Sequence, residues 1–466
     1  MAARPVSGSL ALAVGEAVAR LIAFGTTVYL ARTLGPENYG VVAVAAGVML
    51  YLSQIADAGV ELAGMTDAAA GPARVNAILS GVLRYRLRIA AGLMLVLVPA
   101  GAFLLPQPDG RVLALYVFGL PAVALSARWV YLGLQQPRPV ARSRIAGDVV
   151  TAAVTLALVR GPHDVLGVPV AVVVGGLAAA LWLVRGLPAL GVRFGRVSDA
   201  APVAALVRRG RRLVLFTLLG LVLYNIDLLM LRVLGGEEAA GHYAAAYVLI
   251  SFCANLMIAY SHTVLPALAG EAAPTAAASA TYGTALVTAL AVTTPVAAGG
   301  LLIAPLVVAL LFGPAYAPGA VALQVLVLAV PVGALREIAV ASLIARHREQ
   351  SLLRVNIVAT VVNVSLNLIL IPRFGLLGAA WATVMSEIVR LGVALVAARR
   401  VIPGTTPVMA LLKCLFAGAG MAAAVAGLGL TGSLMAVLVG GLVYPALLVA
   451  FGVVVVGGGR GPHIGE

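Results

Sequence analysis

The sequence predicts an all-α polytopic membrane protein with about 14 transmembrane helices. Of the 466 residues, 62% are hydrophobic and only 10% are charged, whereas soluble proteins are roughly 25% charged. Apolar stretches of about 20 residues, long enough to span a bilayer, follow one another along the chain. Soluble enzymes, disordered chains and disulfide scaffolds are excluded, because so few charges cannot cover a water-exposed surface.

The predicted spans begin with a stretch that contains Glu16 and Arg20 and continues to Leu30, which we interpret as a retained span and not a cleaved signal peptide. The span at 141–159 is the most polar, since it contains two arginines and an aspartate. The fourteen predicted spans are 9–31, 39–60, 88–105, 112–134, 141–159, 165–184, 213–234, 242–263, 282–303, 319–341, 355–371, 376–397, 408–428 and 433–456.

The positive charges predict the orientation in the cell membrane. Loops on the side of the two termini contain 22 of the 31 Lys and Arg residues, and the opposite loops contain five. Because cytoplasmic loops collect positive charge, we expect both termini and the basic segment 185–212 to be cytoplasmic. Topology therefore accounts for the net charge of +14. We expect no nucleic-acid partner, because aromatic residues are not interleaved with the arginines.

The sequence contains no pattern of residues that would support catalysis. Cys253 and Cys414 lie in apolar stretches, and no group of residues has the spacing of metal ligands. A phosphate-binding loop, a nucleophile elbow and an HExxH motif do not occur. We therefore expect a protein that is not an enzyme and that needs no cofactor.

A repeated hairpin divides the chain into two halves. YLARTLGPENYGVVAVA (29–45) and LMLRVLGGEEAAGHYAAAY (229–247) each end a span with Leu-Gly, turn through Gly or Pro and Glu, and restart before an alanine-rich helix. Two copies in the same orientation indicate a parallel repeat, with which transporters build a central site. The predicted organisation is an N-lobe of six spans (1–184), a cytoplasmic basic linker (185–212), a C-lobe of six spans (213–400), and two further spans with a tail (401–466).

Four sequence blocks resemble the polysaccharide flippases of the multidrug/oligosaccharidyl-lipid/polysaccharide exporter superfamily. They are VNVSLNLILIPRFGLLGAAWATVMSE (362–387), LLFGPAYAPGA (310–320), LGPENYG (34–40), and Asp227 followed by LGGEEAAGHYAAAY. The resemblance implies two six-helix lobes that form a V around a central cavity with alternating access. It implies transport of a polyprenyl-diphosphate-linked oligosaccharide from the cytoplasmic to the outer leaflet. Membrane lipids, a polysaccharide polymerase and glycosyltransferases are the partners it implies.

The sequence leaves three alternatives to a polysaccharide flippase. Peptidoglycan-precursor flippases of the same superfamily carry several arginines in the N-lobe cavity, and here Arg20 and Arg128 are the clear candidates. A cation or drug antiporter of the same fold would need several carboxylates in one cavity, and Asp227 is the only isolated one. A membrane glycan polymerase or ligase would need a large soluble loop with catalytic groups, and the longest loop is the linker.

The N-lobe candidates for the substrate cavity lie on the first and fourth spans. Glu16, Arg20 and Thr27 fall on one stripe of a helix, and Glu16 and Arg20 are spaced to pair. Arg20 would bind a diphosphate or a carboxylate-bearing sugar, because guanidinium matches such oxygens in a bidentate manner. In the alternative interpretation, the pair only stabilises helix packing. Arg128 either contacts the substrate or forms an interhelical bridge.

The C-lobe candidates include one isolated carboxylate. Asp227 has Tyr224 beside it and no cation within one helical turn, so in an apolar environment the protonated form is favoured, which suits proton coupling. The alternative is an ion pair with another helix. Asn363 belongs to a polar stripe on the eleventh span, whose amides bind either sugar hydroxyls or neighbouring helices. Tyr247 and Asn255, on the eighth span, complete the candidate cavity lining.

Overall fold

The computed structural model describes residues 4–194, 201–269, 276–402, 407–455 and 463–464, which are almost entirely α-helical. The helices are α1 (Arg4–Asp57), α2 (Val60–Ala68), α3 (Pro72–Phe103), α4 (Asp109–Val117), α5 (Leu120–Leu125), α6 (Arg128–Gly133), α7 (Pro137–Leu158), α8 (Gly167–Gly186), α9 (Ala201–Gly235), α10 (Glu237–Ala269), α11 (Ala276–Phe312), α12 (Ala317–Leu326), α13 (Ala329–Ala345), α14 (Glu349–Arg399), α15 (Val408–Gly427) and α16 (Leu434–Ala450). Short 3₁₀ helices occupy Leu187–Leu190 and Pro314–Tyr316. Strands β1 (Val454–Val455) and β2 (His463–Ile464) pair antiparallel.

The described helices have the length and composition of membrane spans. Among the described residues, eight helical segments are long and apolar enough to cross a bilayer. Helices α12 and α13, which are bent by 44° at their junction, meet the same criteria when they are taken together. Helices α1 and α14 contain 54 and 51 residues, more than twice the roughly 20 that one crossing requires. The predicted all-helical polytopic membrane fold is confirmed, and the helix order is consistent with the fourteen predicted spans.

Glycines with positive φ stand at several breaks between helices. Gly35, Gly71 and Gly313 have φ of 75°, 105° and 93° with ψ near 170°, and each precedes a proline. Glycine adopts this backbone conformation without steric cost, and proline is pre-organised for the first turn of a helix. The second copy of the repeated hairpin breaks at Gly236, whose φ is 94°.

Contacts divide the chain into two compact units, Met1–Asn225 and Ile226–Glu466, whose boundary lies within α9. We call them unit 1 and unit 2. A core in unit 1 is built around Ile78, Trp129, Tyr131 and Leu187. A core in unit 2 is built around Leu268, Leu286, Ile338 and Leu343. Helices α15 and α16 pack on α11 through Cys414, Met421 and Tyr444.

The first part of α9 is anchored in unit 1. A Cβ atom added at Gly59 would lie 2.2 Å from the carbonyl oxygen of Gly210, so the two backbones are in contact. Arg209 pairs with Asp67, and the Tyr51 hydroxyl donates to the Leu221 carbonyl over 3.0 Å. From Ala201 onwards the chain is one helix, so the C-terminal part of the predicted linker belongs to α9.

Candidate functional site

Unit 1 contains a cavity of about 430 Å³ between α1, α5, α7 and α8. Its walls are mainly apolar, formed by side chains such as Met49, Val172 and Leu183. Its polar lining residues are Ser53, Tyr116, Ser126, Arg128, Ser143 and Arg144. A cavity with apolar walls and two arginines is suited to an anionic, amphipathic ligand.

A break in the fourth predicted span places Arg128 in this cavity. The stretch predicted as one helix over 112–134 is three helices in the structure, and the backbone at Ser126 is extended, with ψ of 119°. Arg128 is the first residue of α6. The following residues Trp129 and Tyr131 are 2% exposed in the core, and the Tyr131 hydroxyl donates to the Leu183 carbonyl over 2.6 Å. These anchors fix α6 and hold Arg128 at the cavity wall.

Both cavity arginines are paired with carboxylates. Arg128 Nε lies 3.3 Å from Glu61 Oε1, and each side chain is more than a third exposed. Arg144 Nε lies 3.0 Å from Asp148 Oδ2, one helical turn away on α7. Exposed ion pairs contribute little to stability, so an anionic ligand can replace the carboxylate at modest cost. Arg144 is one of the two arginines of the predicted span 141–159, and the sequence did not indicate it as a cavity residue.

A buried ion pair holds the α5–α6 break in place. Arg86 Nη2 binds Asp57 Oδ1 over 2.8 Å, and the guanidinium also donates to the carbonyls of Val123 and Ser126. The two side chains are only 3% and 10% exposed. The sequence placed Arg86 in a loop before a span at 88–105. That prediction is wrong, because α3 begins at Pro72 and buries this arginine.

The remaining N-lobe candidates do not line this cavity. Arg20 is exposed, and Glu16 and Thr27 are half-buried. Among the described residues, no ion pair joins Glu16 to Arg20. Glu16 interacts electrostatically with Asp148, across a contact in which Gly15 packs against Ala141. The i,i+4 spacing permits the predicted pair, but α1 turns Glu16 towards α7 instead.

Unit 2 contains a buried polar cluster around Asp227, which is 2% exposed. Its carboxylate accepts hydrogen bonds from Thr383 Oγ1 at 2.5 Å, Asn367 Nδ2 at 2.7 Å and the Tyr243 hydroxyl at 3.1 Å. Helices α9, α10 and α14 each contribute to it. No Arg, Lys or His pairs with Asp227 in the part of the chain that the structure describes. The carboxylate is therefore held by neutral donors alone.

The cluster extends along both arms of α14, which is broken at Gly375. Asn367 Nδ2 lies 3.2 Å from Asn363 Oδ1, and Asn363 Nδ2 donates to Ser386 Oγ over 3.2 Å. Within the described residues, Asn367 Oδ1 is buried without a hydrogen-bond partner. The candidate Asn363 is thus part of the Asp227 cluster, at 1% exposure.

The other candidates of the C-lobe are Tyr247, Asn255 and Tyr224. Tyr247 is half-buried and stacks on Tyr243, with ring centroids 5.7 Å apart. Asn255 donates to the Ser251 carbonyl over 2.8 Å, and the side chain of Tyr224 lies outside the described part of the structure. Sequence reasoning missed Tyr243, although it stands inside the repeated hairpin motif.

Two family profiles match the sequence. The family described as "Polysaccharide biosynthesis protein" matches residues 6–270, and the family described as "Lipid II flippase MurJ" matches residues 141–447. Each match covers more than half of the chain. The chain belongs to the multidrug/oligosaccharidyl-lipid/polysaccharide exporter superfamily.

Solved structures of this exporter superfamily share the fold. "Lipid II flippase MurJ, inward closed conformation" is similar with a TM-score of 0.79 and 12% identity, covering 94% of this chain and 98% of that chain. The "Inward-facing conformation of a multidrug resistance MATE family transporter of the MOP superfamily" has a TM-score of 0.69 and 15% identity, covering 82% and 94%. No curated protein matches the sequence.

Membership of the exporter superfamily assigns the general activity. The matching families are transporters and flippases, and the chain is a multi-pass membrane protein of that kind. In a transporter, polar groups within the spans are candidates for contact with cargo or ions.

Proposed function

We propose that this protein flips a polyprenyl-diphosphate-linked oligosaccharide from the cytoplasmic to the outer leaflet by alternating access, for the synthesis of a surface polysaccharide. The observation that carries the proposal is the unit 1 cavity, in which Arg128 and Arg144 face apolar walls. In this scheme, glycosyltransferases supply the cargo and a polysaccharide polymerase consumes it.

The cavity groups match the parts of such a cargo. Guanidinium groups bind phosphate oxygens through paired, charge-assisted hydrogen bonds. The hydroxyls of Ser53, Ser126 and Ser143 can donate to and accept from sugar hydroxyls. The cargo diphosphate would displace Glu61 from Arg128, and this exchange favours release once the cargo reaches the other leaflet.

Peptidoglycan lipid precursor is the second candidate cargo, because it carries the same lipid-diphosphate chemistry. It is favoured by the match to the lipid II flippase profile over residues 141–447 and by the similarity in fold. A cation or drug antiporter is disfavoured, since the lining of the unit 1 cavity contains two arginines and no Asp or Glu to bind a cationic cargo.

We propose that the Asp227 cluster couples transport to an ion. A buried carboxylate without a cationic partner has two routes to neutrality, which are to bind a proton or to bind a monovalent cation. The oxygens of Asp227, Thr383 and Asn367 lie close enough together to serve either route. Imposed proton and sodium gradients across reconstituted vesicles distinguish the two.

The proposed cargo is tested with the purified protein in proteoliposomes. Fluorescent polyprenyl-diphosphate oligosaccharide and peptidoglycan lipid precursor are supplied separately, and the fraction accessible to an external quencher is followed with time. We expect Arg128→Gln to slow flipping of the cargo by about ten-fold or more, since a charge-assisted bond is lost. Arg142→Gln is the matched control, because Arg142 is exposed on α7 outside the cavity lining. Equal rates in the two variants would contradict the proposal.

We also propose that both termini face the cytoplasm in the cell membrane, as the arginine asymmetry predicts. The two ends of α7 offer a direct test, because Gln136 and His163 are both exposed and lie before and after the helix. In a variant without Cys253 and Cys414, we expect a membrane-impermeant thiol reagent to label His163→Cys in intact cells and to leave Gln136→Cys unlabelled. The reverse pattern would invert the orientation.

A further inference from the structure

A second large cavity lies at one end of unit 2, apart from the Asp227 cluster. Its volume is about 800 Å³. Both ends of α14 line it, through residues 349–354 of the first arm and residues 393–400 of the second. Because α14 is broken at Gly375 and folds back, its first and last turns lie at the same end of the unit.

The cavity carries positive charge that no ion pair of the described residues neutralises. Arg348, Arg354 and Arg400 line it, all three are exposed, and none pairs with a carboxylate among the described residues. Other arginines of unit 2 are neutralised by carboxylates. Arg232 and Arg390, for example, form ion pairs with Glu237 and Glu387.

The opposite wall is apolar and continues along the membrane-spanning part of α14. Val393 and Val396 line the cavity, and Val396 is 57% exposed. A polar, cationic half therefore adjoins an aliphatic surface where a spanning helix ends. This combination matches the junction between the headgroup and the acyl chains of a lipid.

The first turn of α14 adds to the attraction for anions. Glu349, Gln350 and Ser351 line the cavity, so the amino-terminal end of the helix faces into it. Free backbone N–H groups and the helix dipole favour phosphate at this position. Glu349 is the one acidic side chain in the lining, against three arginines and His347.

We propose that this cavity binds the phosphate group of a lipid headgroup, with Arg348, Arg354 and Arg400 as its ligands. The site is separate from the cargo cavity of unit 1 and does not depend on which cargo is flipped. Two lipids carry the required chemistry, an anionic phospholipid of the adjoining leaflet and a polyprenyl diphosphate. Binding would hold one such lipid against the end of α14.

The test measures lipid retention by native mass spectrometry of the full chain in detergent. Phosphatidylglycerol, phosphatidylcholine, polyprenyl diphosphate and inorganic phosphate are added separately. The variant R348Q/R354Q/R400Q is compared with R84Q/R88Q/R142Q, which removes three exposed arginines from unit 1. We expect the first variant to weaken phosphatidylglycerol binding by about ten-fold or more, and the control by less than two-fold.

Two other results would overturn the proposed lipid site, and one would identify its ligand. Equal losses in the two triple variants would overturn the site, because they would show a general charge effect. Inorganic phosphate that binds as tightly as either lipid would overturn a lipid site. Stronger retention of polyprenyl diphosphate than of phosphatidylglycerol supports the site and identifies the carrier lipid as its ligand. The variant R348K/R354K/R400K keeps the charge but not the bidentate geometry, so it should recover part of the binding. Such a recovery would exclude misfolding as the cause of the loss.

Discussion

Asn367 donates a hydrogen bond of 2.7 Å to Asp227, although the two residues are 140 positions apart in the sequence. Thr383, on the other arm of α14, donates to the second oxygen of the same carboxylate. One carboxylate thus holds both arms of a broken helix. A change in its charge alters the contacts of both arms at once, which is a suitable arrangement for ion coupling.

The substitution Asp227→Asn should abolish coupled transport while the protein still accumulates in the membrane. The new amide keeps the shape of the carboxylate, and it can donate to the otherwise unpartnered Oδ1 of Asn367 after that side chain rotates. We expect a stability loss of about 1 kcal/mol or less for this variant, and about 1–3 kcal/mol per orphaned donor for Asp227→Ala. Transport at two pH values and thermal unfolding in detergent measure both effects. Retained transport in Asp227→Asn would leave the carboxylate only a packing role.

The sequence prediction that Arg20 binds the cargo makes Arg20→Ala a separate test, since Arg20 does not line the unit 1 cavity. If that prediction holds, the alanine variant stops flipping without lowering the amount of protein in the membrane. Arg20 is exposed and has no ion-pair partner among the described residues, so its loss should cost little stability. Arg20→Lys should restore part of the activity, because a point charge does not reproduce a bidentate guanidinium. Flipping is measured on variants normalised to protein content. Full activity of the alanine variant would remove Arg20 from the cargo path.

The buried and the exposed arginine pairs of unit 1 should respond very differently to the same substitution. Arg86→Met leaves Asp57 charged and buried, and should lower the free energy of unfolding by about 3–5 kcal/mol. Arg74→Met should cost less than about 1 kcal/mol, because its side chain is 39% exposed and Arg209 still pairs with Asp67. Adding Asp57→Leu to Arg86→Met should recover part of the loss. Thermal unfolding compares the variants, and similar shifts for the two single substitutions would refute the assignment of burial.

Gly59→Ala should destabilise the contact between the first part of α9 and the turn that joins α1 to α2. The position has φ of 70°, and the added Cβ would lie 2.2 Å from the Gly210 carbonyl oxygen. We expect a loss of about 2 kcal/mol or more. Gly92→Ala is the control, since Gly92 lies inside α3 with no atom within 4 Å of an added Cβ. If Gly59→Ala had the same free energy of unfolding as the unchanged protein, the close contact between the backbones at Gly59 and Gly210 would not be required for stability.

The sequence predicted the all-helical fold and the breaks of the repeated hairpin at Gly35 and Gly236, because both are local properties. Gly35 followed by Pro36 specifies a left-handed residue and then the first turn of a helix wherever it stands. The breaks within 112–134 were not predicted. They depend on contacts with α3, where Arg86 binds the carbonyls of Val123 and Ser126.

The candidate site was predicted in part, and the difference has a physical cause. Isolation of Asp227 from cations follows from the sequence of its own helix, and the structure shows neutral donors around it. Its partners Tyr243 and Thr383 come from other helices, so no spacing rule identifies them. Helical periodicity likewise predicted that Glu16 pairs with Arg20. The structure instead brings Glu16 near Asp148 of α7, and this proximity depends on helix packing.

Helix α9 is continuous for 35 residues, a length of about 50 Å at 1.5 Å per residue. Its early turns are fastened to unit 1 at Gly210 and Arg209, and its later turns carry Asp227 into unit 2. No glycine or proline with irregular backbone interrupts it as Gly35 interrupts α1. Arg209 and Asp227 therefore stand on one helix, without a break between their turns. A change of charge at Asp227 and the ion pair between Arg209 and Asp67 therefore act on the same helix.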